Sequence, residues 1–192
     1  MKNKIKSILT DSINTKELIL QNEDILNLIS SAVELCFKTI SQDKCIFFCG
    51  NGGSAADAQH LAAELTGKFK TDREPLKGIV LGSNFSSITA IGNDYGFDDI
   101  FSRELKGLGR EKDLLICYTT SGNSKNVIKA MNMAKDLNIK SILFTGVDGG
   151  DAKKYADIVI CVPSKVTARI QESHITLSHI IFEIFEELLS DA

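Results

Sequence analysis

A histidine and a glutamate four residues apart, His60 and Glu64, are the side chains of this sequence best placed for acid–base or metal chemistry. Residues with this spacing on a helix lie one turn apart on the same face, so an imidazole and a carboxylate project together. Such a pair can move protons or bind a metal ion. The alternative is a solvated pair on a surface helix, and this spacing alone does not decide between the two.

A glycine-rich segment, Gly50-Asn51-Gly52-Gly53-Ser54, stands shortly before this pair. The apolar run Cys45–Phe48 before it predicts a buried strand, and the alanine-rich sequence after it predicts a helix. Glycines permit positive φ angles and leave no Cβ in the way of a ligand, and Ser54 is predicted to cap the helix. Free N–H groups at a helix N-terminus favour an anion, so we expect an anion site here.

A second segment repeats this pattern further along the chain. The apolar run Leu114–Tyr118 predicts a strand, and Thr119-Thr120-Ser121-Gly122-Asn123-Ser124 follows it and leads into a helix. Four hydroxyl groups beside free amides can bind phosphate without adding positive charge. Hydroxyl-rich turns are common, but the repeated arrangement favours a phosphate site.

The remaining elements follow from apolar periodicity and turn residues. Residues 4–42 predict two helices that break near Asn22, which could cap the second. The other predictions are a turn at 71–75, a strand at 78–81, a helical turn at 83–91, a loop at 92–96 that contains Asn93 and Asp94, a helix at 98–105, strands at 140–146 and 156–162, and a short helix that starts at 149–151.

Short apolar strands that alternate with helices predict an α/β fold, a doubly wound parallel sheet of about five strands with helices on both faces. At 192 residues we expect a single domain over 1–192, with N-terminal helices in 1–44, the sheet core in 45–165 and a last helix in 168–190. Ligands of such sheets bind outside the carboxyl ends of the strands, where both polar segments lie.

The last helix is apolar around most of its circumference, which a surface helix of a lone subunit would not tolerate. We therefore expect it to be buried against a second subunit. Gln171, His174 and His179 are polar groups in these apolar surroundings and need partners. A histidine in this setting is often structural, but two histidines and a glutamine on one helix favour a site.

Composition limits the possible partners. The 22 basic and 25 acidic residues give a net charge of −3 without a long run of either sign, so we expect no nucleic-acid or membrane surface. The five cysteines form no CxxC pair, which argues against a disulfide framework or a thiolate zinc site. The N-terminus does not have the pattern of a secretory signal, and no apolar stretch is long enough to span a bilayer. We expect a cytoplasmic protein.

Taken together, these motifs resemble those of the bacterial phosphoheptose isomerases, which are SIS (sugar isomerase) domain proteins. The resemblance covers nearly the whole chain. The segments that carry it are Gly50–Ser54, His60 with Glu64, Gly92-Asn93-Asp94, Thr120–Ser124, and Arg169-Ile170-Gln171-Glu172 with His179.

The resemblance implies conversion of sedoheptulose 7-phosphate to D-glycero-D-manno-heptose 7-phosphate, the first step toward activated heptose for lipopolysaccharide or capsule. It also implies a cytoplasmic homotetramer with active sites at subunit interfaces and one zinc ion per subunit. The implied zinc ligands are His60, Glu64, Gln171 and His179. The implied substrate contacts are Asn51, Gly52, Gly53, Glu64, Asn93, Asp94, Thr119, Thr120, Ser121, Ser124 and Gln171, to which the anion site adds Ser54.

The chemistry of such an isomerase matches the side chains. Moving a carbonyl from C2 to C1 requires a base that removes a proton from C1 and an acid that delivers one to C2, through an enediolate. We assign Glu64 as the base and His179 as the acid. Gln171 and His179 are eight residues apart, about 12 Å along a straight helix, so His60 and Glu64 form the more compact ligand pair.

The sequence departs from the family at two positions. Thr119 stands where many relatives have serine, and Ala168 stands where many have aspartate, so an electrostatic contribution at the latter position is in question. Two other functions stay open at this point. One is a non-enzymatic phosphosugar-binding protein that associates with the replication initiator, against which the presence of Glu64 argues. The other is an isomerase of a different sugar phosphate.

Overall fold

Five parallel strands and seven α-helices make up the fold in the computed structural model, which describes residues 1–190. The last two residues of the predicted 1–192 domain lie outside the described residues. In chain order the elements are α1 (Lys2–Leu20), α2 (Glu23–Ser41), β1 (Ile46–Gly50), α3 (Gly53–Thr66), β2 (Gly78–Val80), α4 (Phe85–Asp94), α5 (Ile100–Leu108), β3 (Leu114–Thr119), α6 (Lys125–Asp136), β4 (Lys140–Thr145), β5 (Ile158–Cys161) and α7 (Thr167–Ser190). Short 3-10 turns span Phe97–Asp99 and Ala152–Lys154.

The strand order in the sheet is β2-β1-β3-β4-β5, and every neighbouring pair is parallel. The chain leaves β1 toward one edge to form β2 and then returns to build β3 on the other side of β1. β1 and β3 are therefore neighbours, with Gly50 in register with Tyr118. In a doubly wound sheet this reversal opens a crevice at the carboxyl ends of the two strands. The predicted α/β class is confirmed.

The two faces of the sheet bury separate clusters of apolar side chains, because alternate residues of a strand point to opposite faces. Phe48, Tyr118 and Phe144 pack with residues of α2, α3 and α7 on one face. Phe47 and Leu115 pack with residues of α5 and α6 on the other. Helices that cover both faces explain why the strands are almost continuously apolar.

Two local predictions about helix ends have opposite outcomes. Asn22 caps α2 as predicted, and its side chain accepts a hydrogen bond from the Ile25 amide over 3.1 Å. The predicted loop at 92–96 is wrong in its first half, because α4 continues through Asp94. Asn84 caps that helix, and the Tyr95 amide bonds to the Ile91 carbonyl, so Asn93 and Asp94 belong to its last turn.

The helix α7 buries one side in its own subunit. Ile170, Leu177 and Phe182 are among its buried side chains, whereas Ile180 and Ile184 are each 41% exposed. α1 lies across α2 and α7, and much of its apolar surface is exposed. Among the described residues, no helix combines the length and apolar character needed to cross a membrane.

Candidate active site

The first half of the candidate site is the turn between β1 and α3. Gly52 has φ 56° and precedes the first residue of α3, and a Cβ at Gly52 would meet no atom of the described residues within 4 Å. The glycine therefore adopts the positive φ that the pattern predicted, and the predicted anion site at this turn stays a prediction. Ser54 does not cap the helix as predicted. The positive φ of Gly52 starts the helix earlier, so that Ser54 lies inside the first turn and is buried.

A reciprocal pair of amide side chains joins this turn to α6. Asn51 Nδ2 donates to Asn126 Oδ1 over 2.9 Å, and Asn126 Nδ2 donates to Asn51 Oδ1 over 2.8 Å. The backbone amide of Val127 also donates to Asn126 Oδ1. Asn126 is buried, so these bonds satisfy polar groups that would otherwise be costly to bury, and they fix the two helix N-termini relative to each other.

The second half is the hydroxyl-rich turn after β3. Thr119 is its last strand residue, and its Oγ1 lies 3.0 Å from Ser124 Oγ at the N-cap position of α6. Ser121 Oγ accepts the amide of Asn123 over 3.1 Å. The Asn51, Ser54 and Thr119–Ser124 side chains thus surround the N-termini of α3 and α6. We call the residues 51–54 and 119–124 the anion cradle.

The turn after β4 is hydrogen-bonded to the backbone of the anion cradle. The Gly122 carbonyl accepts the Ala152 amide over 2.8 Å, and the Thr120 carbonyl accepts the Gly146 amide over 3.1 Å. Gly122 has φ 67°, and a Cβ there would lie 2.1 Å from the Gly149 carbonyl oxygen. This close approach of two backbones requires glycine at position 122.

His60, Glu64 and His179 form a cluster at the contact between α3 and α7. His60 Nε2 lies 2.9 Å from His179 Nε2 and 3.1 Å from Glu64 Oε1. One ligand atom from each residue falls within 4.8 Å of the others, a separation that suits a shared metal ion. Two imidazole nitrogens and a carboxylate are ligands that a divalent transition metal such as zinc prefers. These residues can hold a metal ion.

The surroundings of the cluster favour a neutral His179. Its partial burial lowers its pKa, the charge of His60 lowers it further, and Glu64 acts in the opposite direction. A neutral imidazole has the free lone pair that metal binding requires. The ring of Phe69 stacks on that of His179, with the ring centroids 5.5 Å apart, and covers one side of it.

Asp57 lies one turn before His60 on α3. Burial raises its pKa to about 6, and the charge of His60 works against this rise. Its Oδ2 is buried and has no hydrogen-bond partner among the residues that the structure describes.

The two other polar residues of α7 that the sequence singled out lie apart from each other. The Gln171 amide lies beside Gly53, since a Cβ on that glycine would come within 2.6 Å of Gln171 Nε2. Gln171 therefore lies against the anion cradle. His174 is fully buried, with its Nε2 3.3 Å from the Thr145 carbonyl oxygen, and burial lowers its pKa to about 4. His174 belongs to the core.

Asn93 and Asp94 lie at the exposed end of α4. Asn93 Nδ2 donates to Asp94 Oδ1 over 2.8 Å, and α4 packs against α5 and the adjacent 3-10 turn. Their predicted contact with substrate stays a prediction.

Sequence reasoning missed Asn126 and Phe69. Asn126 lies two residues after the second polar segment, and its partner Asn51 was identified, but a contact across 75 residues leaves no local pattern. Phe69 lies in the connection between α3 and β2, where an isolated aromatic residue carries no periodic signal.

The comparison with protein families identifies the class. The sequence profile of the SIS domain family matches residues 13–146, which is more than half of the chain. That range contains the anion cradle, His60 and Glu64. The protein is therefore a SIS-domain protein.

Individual relatives give a narrower answer. The chain is 46% identical to the phosphoheptose isomerase of Sulfurimonas denitrificans, over 97% of this chain and 96% of that protein. It is 45% identical to the phosphoheptose isomerase of Clostridium acetobutylicum, over 98% of this chain and 96% of that protein. The solved phosphoheptose isomerase from Neisseria gonorrhoeae superimposes with a TM-score of 0.90 at 39% identity, over 97% of this chain and 98% of that one. The solved phosphoheptose isomerase from Francisella tularensis superimposes with a TM-score of 0.92 at 35% identity, over 96% of this chain and 97% of that one. The chain belongs to the phosphoheptose isomerase family of SIS-domain proteins.

Proposed function

We propose that the protein converts sedoheptulose 7-phosphate to D-glycero-D-manno-heptose 7-phosphate as an aldose–ketose isomerase. The observation that carries this proposal is the position of His60, Glu64 and His179 on the helix that starts at the anion cradle and on its neighbour. The names of the relatives support the choice of substrate. The non-enzymatic alternative is not favoured, because these relatives are named as isomerases.

The distance between the two parts of the site suits a long sugar phosphate. His60 follows the first residue of α3 by seven positions, which is about 10 Å along the helix axis. An extended seven-carbon sugar phosphate spans a comparable length from its phosphate to C1. The substrate would place its phosphate at Gly52, Gly53, Ser54 and residues 119–124, and its carbonyl end near the cluster.

The proposed reaction has two proton transfers at carbon and one between oxygens. Glu64 removes a proton from C1 of the ketose, and the electron pair forms the C1–C2 double bond of the enediolate. The hydroxyl proton on O1 passes to O2, and His179, which takes up a proton for this step, delivers it to C2, so that the carbonyl is left at C1 and a hydroxyl at C2. Transfer by a positioned side chain typically contributes about 10²–10⁴-fold to a rate. One Glu64 oxygen faces His60, and the second oxygen is free to act on the substrate.

The proposed cofactor is one zinc ion per subunit, held by His60, Glu64 and His179, with Gln171 as a predicted fourth ligand. The donor set of two imidazole nitrogens and a carboxylate supports this choice. When bound, the ion would supply positive charge that offsets the negative charge developing on the sugar oxygens. Gln171 also lies against Gly53, a position from which its amide can contact the substrate.

The proposed assembly is a cytoplasmic homotetramer with active sites at subunit interfaces, in which the whole chain acts as one domain. The exposed apolar side chains support self-association. They include Ile5, Ile8, Leu9 and Ile13 on α1 and Ile180, Ile184 and Leu188 on α7. Exposed apolar side chains in such number are typical of subunit contacts. Asn93 and Asp94 would then contact substrate in the assembled protein.

The reaction itself is tested by proton NMR of the purified protein with sedoheptulose 7-phosphate in D₂O. We expect the aldose product to carry deuterium at C2, because the proton that His179 delivers exchanges with solvent before it reaches C2. Protium carried quantitatively from C1 to C2 would contradict the enediolate route. A hexulose 6-phosphate and a pentulose 5-phosphate serve as competing substrates, and faster conversion of either would overturn the assignment of a heptose.

A further inference from the structure

A buried ion pair joins α7 to the segment that connects α3 with β2, next to the cluster. Arg73 Nε donates to Glu186 Oε1 over 2.7 Å, and the two side chains are only 14% and 2% exposed. Glu186 follows His179 by seven residues, two helical turns or about 10 Å along α7, so both side chains project from the same side of the helix. Burial of this kind requires that both charges be fully paired.

The terminal nitrogens of Arg73 bind the C-terminal end of α3, and NH1 also donates to the neighbouring Glu74 carbonyl over 3.2 Å. Its guanidinium NH2 donates to the Glu64 carbonyl over 2.8 Å and its NH1 to the Leu65 carbonyl over 3.0 Å. The last carbonyls of a helix have no partner within the helix, and a cation at this end is favourable. One guanidinium group thus holds the backbone of Glu64 and the side chain of Glu186 at once.

The other oxygen of Glu186 orders the segment before Arg73. Glu186 Oε2 accepts the backbone amides of Lys70 over 2.9 Å and Thr71 over 3.1 Å. Burial raises the pKa of Glu186, but the two amides and Arg73 outweigh it and keep the pKa below its ordinary value. This segment carries Phe69, whose ring stacks on His179.

We propose that Arg73 and Glu186 are positioning residues for the cluster, a role that rests on the proposed function. They hold the backbone of Glu64 on α3 at a fixed distance from α7 and place Phe69 against His179. Without the pair, α3 and α7 would keep their apolar contacts but lose the polar link next to the cluster. The three ligand atoms would then converge less accurately.

The test compares Glu186→Gln with Glu183→Gln as the matched control. Glu183 lies one turn earlier on α7 and also pairs with this segment, through Lys70, but that pair is exposed. Glu186→Gln keeps the shape of the side chain and loses the charge that Arg73 requires. Titration with Co²⁺ measures the affinity and the visible spectrum of the metal site, and hydrogen exchange measures the order of residues 67–77.

For Glu186→Gln we expect a loss of about 10–100-fold in Co²⁺ affinity, an altered visible spectrum, and a comparable loss in kcat with KM within about twofold. Glu183→Gln should stay within about twofold of wild type in each. Faster exchange at residues 67–77 with unchanged Co²⁺ affinity and unchanged kcat would overturn the proposal, since the pair would then order the segment without positioning the site.

A second variant keeps the proposal testable if Glu186→Gln does not fold. Arg73→Lys keeps the positive charge for Glu186 but cannot also reach the Glu64 and Leu65 carbonyls, so the same loss of Co²⁺ affinity is expected with less loss of stability. Wild-type affinity in Arg73→Lys would contradict the role of the guanidinium. If the wild-type protein failed to convert sedoheptulose 7-phosphate, the proposed function would fail, while the Co²⁺ and exchange measurements would still test the positioning role.

Discussion

The anion cradle and the His60–Glu64–His179 cluster are built by different means. The cradle lies at the ends of two adjacent strands and presents mainly backbone amides and short hydroxyl side chains. The cluster uses long side chains from two helices, α3 and α7. Its two histidines, His60 and His179, are 119 residues apart in the sequence. The cradle therefore depends on backbone conformation, and the cluster depends on how α3 packs against α7.

This difference assigns separate tasks to the two regions. In the proposed reaction the fixed amides and hydroxyls would bind the end of the substrate that does not react, so they should govern KM. The cluster would contact the reacting carbons, so it should govern kcat. The kinetics of Glu64 and Thr119 variants test whether the tasks divide in this way.

The largest expected effect is that of Glu64→Gln in the cluster. The amide cannot accept the C1 proton, so we expect kcat to fall by about 10²–10⁴-fold, while the melting temperature changes little. Steady-state rates from NMR and a thermal melt by circular dichroism measure both quantities. Glu187→Gln, at an exposed position of α7, is the control and should keep wild-type kinetics. Turnover close to wild type in Glu64→Gln would remove this residue as the base.

The free energy of unfolding should depend on pH through His174, the histidine of α7 that lies in the core and not in the cluster. The pKa of His174 is lowered by burial from 6.5 to about 4, so the unfolded chain binds a proton below pH 6.5 that the folded protein does not bind until about pH 4. Stability is therefore lost as the pH falls from 6.5 to 4, by up to about 3 kcal/mol.

Urea unfolding at pH 7 and pH 4.5 measures this loss, and the difference between wild type and His174→Asn isolates His174 from the other titrating groups. If the variant lost as much stability as wild type over this range, burial of a neutral His174 would not be the cause.

Replacement of two cradle glycines, Gly52 and Gly122, by alanine should lower the free energy of unfolding by different amounts. Alanine at Gly52 meets only the backbone strain of φ 56° and ψ −121°, a cost of about 1–3 kcal/mol, because no atom of the described residues lies near its Cβ. Alanine at Gly122 also has to adopt a positive φ, 67°, and in addition meets the Gly149 carbonyl oxygen at 2.1 Å, which should add about 1–3 kcal/mol. Denaturant unfolding of Gly52→Ala and Gly122→Ala gives the comparison, and equal losses would show that the backbone contact at Gly122 relaxes freely.

The smallest effect is expected for Thr119→Val, which removes one hydroxyl and keeps the shape of the side chain. Its bond to Ser124 Oγ and its contribution to the cradle are lost, so we expect KM to rise about tenfold, with kcat within about twofold. Steady-state kinetics over a range of sugar phosphate concentrations provides the measurement. A fall in kcat with constant KM would show that the cradle also contributes to the chemical step.

The same difference explains how much the sequence could predict. The strands, the doubly wound sheet and the Asn22 cap follow from apolar periodicity and local side-chain chemistry, and the structure confirms them. The His60 and Glu64 pair was also visible, because four residues make one helical turn. Ser54 was misplaced because a glycine with positive φ, rather than a side chain, sets the start of α3.

The partners of these groups could not be predicted because they come from distant parts of the chain. His174 and His179 are both histidines in apolar stretches of one helix, and only the packing of α7 shows that one lies in the core and the other in the cluster. The pairing of Asn51 with Asn126, and that of Arg73 with Glu186, depend on tertiary contacts that no local pattern records.

The reciprocal bonds between Asn51 and Asn126 have a consequence for the kinetics of substrate capture. Because these bonds run between the protein's own side chains and join both helix N-termini, the groups proposed to bind phosphate should already be in place when the substrate arrives, and no closing motion is expected to follow the encounter. The association rate constant should then be set by diffusion and by solution conditions such as viscosity, and a single exponential phase should describe the approach to equilibrium.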